Sequence, residues 1–527
     1  MKRVLVIALV LLVGGWSMAV ELALIPQPNS QKTLDGSFVL QNGAKVFGAA
    51  KSDLYTEKLS QAAGFKLTAS DKAGMINFLP ADGLKSAATK PVGEAYLLRI
   101  SPEAVNVYAD SYAGYFYGLQ TLVQILEAGI HTNGTVKVDC LEVYDSPRFE
   151  WRGFMLDESR HFTDAANVKK LLDAMAYYKM NRLHWHLTDS PAWRIEIKRY
   201  PKLTEIGSRG SETDRSADAP QQYFSRKQVQ ELVAYAKERA IIIVPEIDMP
   251  GHADAANIAY PENSGGGLTR SPGKWPNFTF NPARPQTLVF LDNILHDVAR
   301  MFPDAEVIHI GGDEVHFGWK KWNSLPDVKD LMKREGLAGL PEVEAWFVRR
   351  MAGTVNNLGY VVGGWDEISA RGLAPDKTLV FWWRHNKPNV LRKALDNGYS
   401  VVLCPRLPCY FDFVQHGSHK KGRRWGGFNT LDRVYRFPDS LKMLHKADYK
   451  LVRGIQSCLW TETMLTQQRR DFMTFPRLLA LAEAGWTEPD KKDYTSFKNR
   501  LRLHLPRLRS RGIVVYDPFA NSAEIKR

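Results

Sequence analysis

The sequence predicts an α/β protein: a (β/α)8 TIM barrel preceded by a smaller α+β domain. Three observations point there. Eight buried-strand runs recur over residues 148–527, and a helical pattern follows most of them. Each run ends in polar or aromatic residues, at the carboxyl end where a barrel keeps its active site. No GxGxxG or phosphate-binding loop follows the first run, which argues against a doubly wound nucleotide-binding sheet.

At the start of the chain, Lys2 and Arg3 precede an apolar run from Val4 to Val13, and Ser17 and Ala19 stand at small-residue positions of a cleavage site. Residues 1–19 therefore read as a secretory signal peptide, too short for a membrane span, and the mature protein is expected to be exported. Residues 20–147 carry short β-like runs, Ala95 to Ile100 and Val105 to Tyr108, and a helix-like segment from Gly118 to Leu126. Asp145-Ser146-Pro147 supplies turn chemistry at the expected domain boundary.

The barrel runs are Phe149–Ser159, Arg182–Asp189, Ile241–Asp248, Val307–Glu314, Val361–Glu367, Leu379–Arg384, Ser400–Asp412 and Ile455–Glu462. Between them, Val168, Leu171, Leu172, Met175 and Tyr178 share one helical face. Further helices are expected near Arg226–Arg239, Thr287–Met301, Pro341–Asn357, Pro388–Asn397 and Phe475–Ala484; those after the fifth and seventh runs are poorly marked.

The chain has 527 residues, 44% hydrophobic and 24% charged, enough to bury a large core without staples. Bulk disorder and small disulfide scaffolds are excluded. The formal charge of +13 is spread along the chain, with one dense patch, His419-Lys420-Lys421-Gly422-Arg423-Arg424-Trp425. That patch reads as a solvated loop, not a nucleic-acid site. No later segment is apolar enough to span a membrane. Four cysteines without a CxxC pair argue against a zinc site, and a Cys404–Cys409 bridge is permitted but not required.

Chemistry concentrates at the run ends. The fourth ends Gly311-Gly312-Asp313-Glu314. Neighbours on a regular strand face opposite ways, so both carboxylates share a pocket only if the backbone leaves strand geometry, which two glycines make cheap. Adjacent carboxylates can split their pKa values, one staying ionised while the other acts as general acid. The third run ends with Glu246, Asp248 and His252, where an Asp248–His252 pair is expected to orient the imidazole. His184 and His186 form an HxH, a metal pattern of amidohydrolases, yet the later strands offer no matching histidine ligands. Trp365, Trp382, Trp383, Tyr410 and Trp460 crowd the later ends together with Asp412 and Glu462. Indoles that stack on C–H faces, beside carboxylates for hydroxyls, suit a sugar.

Trp151-Arg152-Gly153 with Leu156 to Phe162, His184 to Asp189, Pro245 to His252, His309 to Glu314, Gly364 to Glu367, Tyr410 to Asp412 and Leu459 to Glu462 occur in one order. Together they resemble the family 20 glycoside hydrolases, the β-N-acetylhexosaminidases, over nearly all of the mature chain. The resemblance implies an exo-acting enzyme that removes terminal β-linked GlcNAc or GalNAc from glycans or glycoconjugates, without cofactor or metal. It implies Glu314 as general acid/base, Asp313 as the partner of the substrate's 2-acetamido group, and Tyr410 as donor to the acetamido oxygen. It further implies Trp365, Trp383 and Trp460 as pocket walls, and Arg160, Asp189, Asp412 and Glu462 as hydroxyl-binding residues. Asp248 and His252 match the Asp–His pair near the acid. Many members carry a second Asp where this chain has Ser190. A disaccharide-releasing, lacto-N-biosidase-like member and a catalytically dead sugar-binding barrel are the alternatives.

Overall fold

The structure is a computed structural model that describes residues 22–48, 52–83, 93–216, 218–267 and 275–520. The expected signal peptide, residues 1–19, lies outside them.

The N-terminal domain is one sheet carrying two helices. In spatial order its strands are Ser30–Gln41, Thr135–Asp145, Tyr96–Ile100, Val105–Ala109, Ile76–Pro80, Lys45–Phe47 and Thr68–Ser70, and Ile130–Thr132 also pairs with Thr135–Asp145. The helix expected around Gly118–Leu126 runs over Tyr112–Ala128, opened by Ser111, whose side chain accepts from the Gly114 amide. This helix is sandwiched between the sheet and the barrel. On the barrel side, Arg152 reaches Glu94 at 2.8 Å, and Lys179 reaches Asp145 at 2.9 Å.

Eight parallel strands close the barrel: Trp151–Asp157, Arg182–His186, Ile242–Glu246, Val307–His309, Val361–Trp365, Thr378–Trp382, Ser400–Leu403 and Val452–Leu459. Successive residues alternate between two apolar cores, as the strand period requires. Met155 points into the barrel with Trp151, Phe381 and Cys458, while Phe154 and Leu156 pack outward. Each strand lies within one of the eight expected runs or overlaps it, and most are shorter. The remainder of each run is the loop that carries the polar residues.

The helices Ala165–Tyr177, Arg226–Lys237, Pro285–Met301, Leu340–Asn357, Pro388–Asp396 and Arg477–Trp486 fill the expected gaps. Local chemistry starts several of them. Asp164 caps the first, Ser225 and Gln228 form a capping box on the second, and Pro285 stands in the first turn of the third. After the fifth strand come two 3-10 segments, Asp366–Ala370 and Pro375–Lys377, and after the seventh only short helical pieces, Arg406–Cys409, Leu431–Tyr435 and Lys446–Lys450. These short elements account for the weak periodicity there. All four cysteines are buried, unpaired thiols. No helix among the described residues is long and apolar enough to cross a membrane.

Candidate active site

The fourth barrel strand stops at His309, and the chain leaves strand geometry through two glycines with φ of +68° and +89° at Gly311 and Gly312. A Cβ on Gly311 would lie 1.9 Å from Asp248 Oδ1, so the close approach as well as the turn requires glycine. Glu314 is itself left-handed, φ +53°, a conformation that costs an L-residue about 1–2 kcal/mol. The result is that both neighbouring carboxylates face one side chain: His252 Nε2 lies 3.6 Å from Asp313 and 3.7 Å from Glu314.

His252 takes its orientation from Asp189, with Nδ1 3.1 Å from Oδ1. This corrects the expected Asp248–His252 pair. Asp248 lies close by, its amide donating to Thr188 Oγ1 at 3.0 Å, but its carboxylate packs against Gly311. Asp189 also meets Arg160 at 2.6 Å and His186 at 3.1 Å. With its oxygens engaged and 3% exposed, Asp189 acts on the site through Arg160 and His252. Ser190, at the position where the resemblance leads to the expectation of a second acid, donates its hydroxyl to Asp254 at 2.9 Å.

Beneath this layer Glu246 collects charge and donors. His186 Nδ1 lies 2.6 Å from its carboxylate, His184 Nε2 2.9 Å and His309 Nδ1 3.0 Å, and the Trp365 indole donates at 2.9 Å. His184, Glu246 and His309 are one of several groups whose potential ligand atoms lie within 4.8 Å of one another. In this group all three side chains are fully buried and both imidazoles approach the carboxylate, while His309 Nδ1 accepts from the Gly311 amide at 3.1 Å. Glu246 and His309 were not singled out for a role in the sequence. The signal was a Glu at the end of a buried run, which needs partners.

Above the network opens a cavity of about 150 Å³, lined by the charged side chains of Arg160, His252, Asp313, Glu314, Asp412 and Glu462 and by the rings of Trp383, Tyr410 and Trp460. Tyr410 and Trp383 stack at 6.4 Å, and Trp383 is pinned by its indole N–H donating to Glu367 at 3.0 Å. Trp382, its neighbour, packs into the outer core. Trp365 is not among the wall residues: it is 1% exposed, one layer down against Trp460 at 5.7 Å. Its indole is committed to Glu246, which corrects the expectation of a wall. Among the described residues, the polar atoms around the cavity that are buried without a hydrogen-bond partner include Asp313 Oδ1, His252 Nε2, Asp412 Oδ1, Glu462 Oε2 and the Trp460 indole nitrogen. Buried orphans of this kind are costly unless something fills the space between them.

Arg423 is the residue the sequence hid. It belongs to the basic patch read as a solvated loop, yet it lines the cavity and bridges Asp412 at 2.9 Å and Glu462 at 2.5 Å. The available signal was its place in the same loop as Tyr410 and Asp412. A second cavity of about 330 Å³, lined by Ser190, Glu212, Trp275 and Phe317, shares Arg160, His252, Glu314, Arg423 and Glu462 with the first. Glu314 thus stands on the boundary between two chambers.

Burial raises the Asp313 carboxyl to about 6, opposed by the His252 charge and reinforced by Glu314. Burial and the nearby Asp313 push Asp248 well above the usual carboxylate range. Burial acts to lower His252, but Asp189, Asp313 and Asp248 outweigh it and hold the imidazole well above its ordinary value. Asp412 rises to about 7 through burial, against the pull of Arg423. An imidazolium set among carboxylates of unequal proton affinity is machinery for proton transfer.

Fold and site together define a barrel glycoside hydrolase. The chain belongs to glycosyl hydrolase family 20: the family's catalytic domain matches residues 149–489 and its domain 2 matches residues 21–146. It is 33% identical to a β-hexosaminidase of Porphyromonas gingivalis over 94% of this chain and 64% of that one. It is 32% identical to a β-hexosaminidase of Vibrio furnissii over 89% of this chain and 77% of that one. The structure is similar to that of a family 20 exo-β-N-acetylglucosaminidase from Vibrio harveyi in complex with N-acetylglucosamine. There the TM-score is 0.86 at 31% identity, covering 95% of this chain and 79% of the other.

Proposed function

We propose that the protein is an exo-acting β-N-acetylhexosaminidase that releases terminal non-reducing β-linked GlcNAc or GalNAc from glycans or glycoconjugates. The observation that carries this reading is the ring of unpartnered polar atoms around a small cavity walled by Trp383 and Trp460. A single pyranose offers hydroxyls to those atoms and C–H faces to the indoles. The relatives named above support the choice of sugar. Export follows from the N-terminal segment read as a signal peptide.

The terminal sugar occupies the smaller cavity and the leaving group the larger, with Glu314 between them. Glu314 protonates the glycosidic oxygen. The 2-acetamido oxygen, aligned by the Tyr410 hydroxyl, attacks the anomeric carbon and closes an oxazolinium ring, expelling the leaving alcohol. Asp313 faces the ring nitrogen and offsets its developing charge. Glu314 then takes a proton from water, which opens the ring with net retention. Because the nucleophile is tethered to the reacting carbon, attack avoids the entropy of a second molecule. Family 20 is among the substrate-assisted exceptions to the two-carboxylate scheme.

The test is a pair of aryl glycosides, one with a 2-acetamido and one with a 2-hydroxyl group. The acetamido sugar alone should be cleaved efficiently, and Asp313→Asn should lose most of that activity. Similar rates on both, or a sugar trapped on an enzyme carboxylate, would overturn the mechanism.

A further inference from the structure

Arg423 enters the catalytic cavity from a loop whose preceding residues build a second feature on the outer side. Ser418–Lys421, the segment Thr463–Arg469 and the C-terminal stretch from Val514 enclose a groove of about 780 Å³. It begins one residue after Glu462, so the cavity wall and the groove wall are consecutive in the chain. Among the described residues its cations are Lys420, Lys421, Arg469 and Arg509, against one lining carboxylate, Asp517, which Arg509 engages at 2.8 Å.

Lys420, Lys421 and Arg469 have no ion pair among the described residues. Arg469 donates to the Lys421 carbonyl, but its Nε is buried without a partner. Burial lowers its pKa, and no carboxylate acts in the other direction. A half-buried guanidinium without a counter-charge is costly to keep. Beside it, His419 is 4% exposed and both ring nitrogens lack a hydrogen-bond partner. The ring is wedged between Phe472 at 5.0 Å and Tyr516 at 4.7 Å, which also line the groove.

We infer that this groove is a second carbohydrate subsite that binds an anionic group, a sulfate ester or a carboxylate, on a glycan whose terminal hexosamine lies in the catalytic cavity. The inference rests on the hydrolase reading of that cavity. Oxyanions supply what the groove lacks: acceptors for the Arg469 Nε, for a His419 N–H and for two ammonium groups. Phe472 and Tyr516 offer apolar surface to the sugar ring that bears the anion. The walls of the two sites are joined by short stretches of backbone, since Glu462 adjoins Thr463, and Lys421 and Arg423 are separated only by Gly422.

The experiment is calorimetry on the Glu314→Gln protein, in which turnover of oligosaccharide substrates is cut by roughly 10²–10⁴. The ligands are one N-acetylhexosamine-terminated oligosaccharide in three forms: neutral, sulfated on an inner residue, and with an inner uronic carboxylate. At least one anionic form should bind about tenfold or more tightly than the neutral one, and the advantage should shrink with added salt. The arm that shows it identifies the anion. Adding Lys421→Gln or Arg469→Gln should abolish the advantage; Lys421 is exposed, so that variant does not threaten the fold. The same substitutions in the active enzyme should leave turnover of a small aryl N-acetylglucosaminide unchanged. Equal binding of all three forms, or an advantage that survives both substitutions, overturns the groove. Failure to cleave the aryl glycoside strikes instead at the hydrolase reading.

Discussion

His252 and Asp189 form the hinge of the catalytic layer: Nδ1 of the imidazole lies 3.1 Å from the Asp189 carboxylate, leaving Nε2 to face Asp313 and Glu314. The carboxylate that aims the histidine also holds Arg160 at 2.6 Å, so one buried anion sets two cations of the site. Opposing the cost of burial, Arg160 and His252 hold Asp189 far below the usual carboxylate range. Its stabilising contribution is therefore in full force above its unfolded pKa, about 3.9, and is lost only in stronger acid. Asp189→Asn keeps the shape and removes the charge. Breaking a buried ion pair costs roughly 3–5 kcal/mol. Urea unfolding at neutral pH should show a loss of that size, accompanied by loss of activity. An unchanged midpoint would mean that the pair contributes nothing net.

Glu314→Gln retains the side-chain volume and loses the transferable proton. Turnover of substrates with poor leaving groups should fall by roughly 10²–10⁴, the usual worth of general acid catalysis. Activated aryl glycosides need less protonation and should lose less. Kinetics on a series of leaving groups tests this, and equal losses across the series would remove Glu314 from the role.

Asp313 must be ionised to face the oxazolinium, and burial places its carboxyl at about 6. The acid limb of kcat/KM should therefore fall below about pH 6, well above an ordinary aspartate. His252 opposes that rise, so His252→Gln should move the limb to higher pH in addition to slowing the reaction. A profile of the variant that keeps the wild-type limb would show that the limb belongs to another group.

Arg423 keeps Asp412 and Glu462 apart from one another's charge and oriented toward the cavity. In Arg423→Met, Asp412, already at about 7, rises further and is protonated at neutral pH. The expected outcome is a several-fold higher KM that improves as pH is raised, with a smaller change in kcat. A pH-independent KM would count against the positioning role.

Two tryptophans should part company. Trp460→Ala removes a cavity wall and should weaken binding of a substrate-like inhibitor with a modest effect on stability. Trp365→Ala should do the reverse, costing about 3–5 kcal/mol of stability as a large-to-small change, since its indole is buried on Glu246. Thermal unfolding beside inhibitor affinity separates the two.

The barrel, the order of its strands and the placement of polar residues at their ends were legible in the sequence, because they follow from local periodicity and from where apolar runs stop. So was the need for Gly311 and Gly312 ahead of two carboxylates that share a site, because strand alternation forbids that arrangement otherwise. Tertiary structure alone decided which aspartate holds His252: Asp189 lies 63 residues away in the chain, whereas the expected Asp248 is a near neighbour. It alone sent Arg423 across 39 residues to Glu462, and moved Trp365 from wall to floor. The physical reason is common to all three. A hydrogen bond or ion pair is made where backbone paths from distant strands converge, and a charge or an indole with several possible partners takes the one that closing the barrel brings within reach.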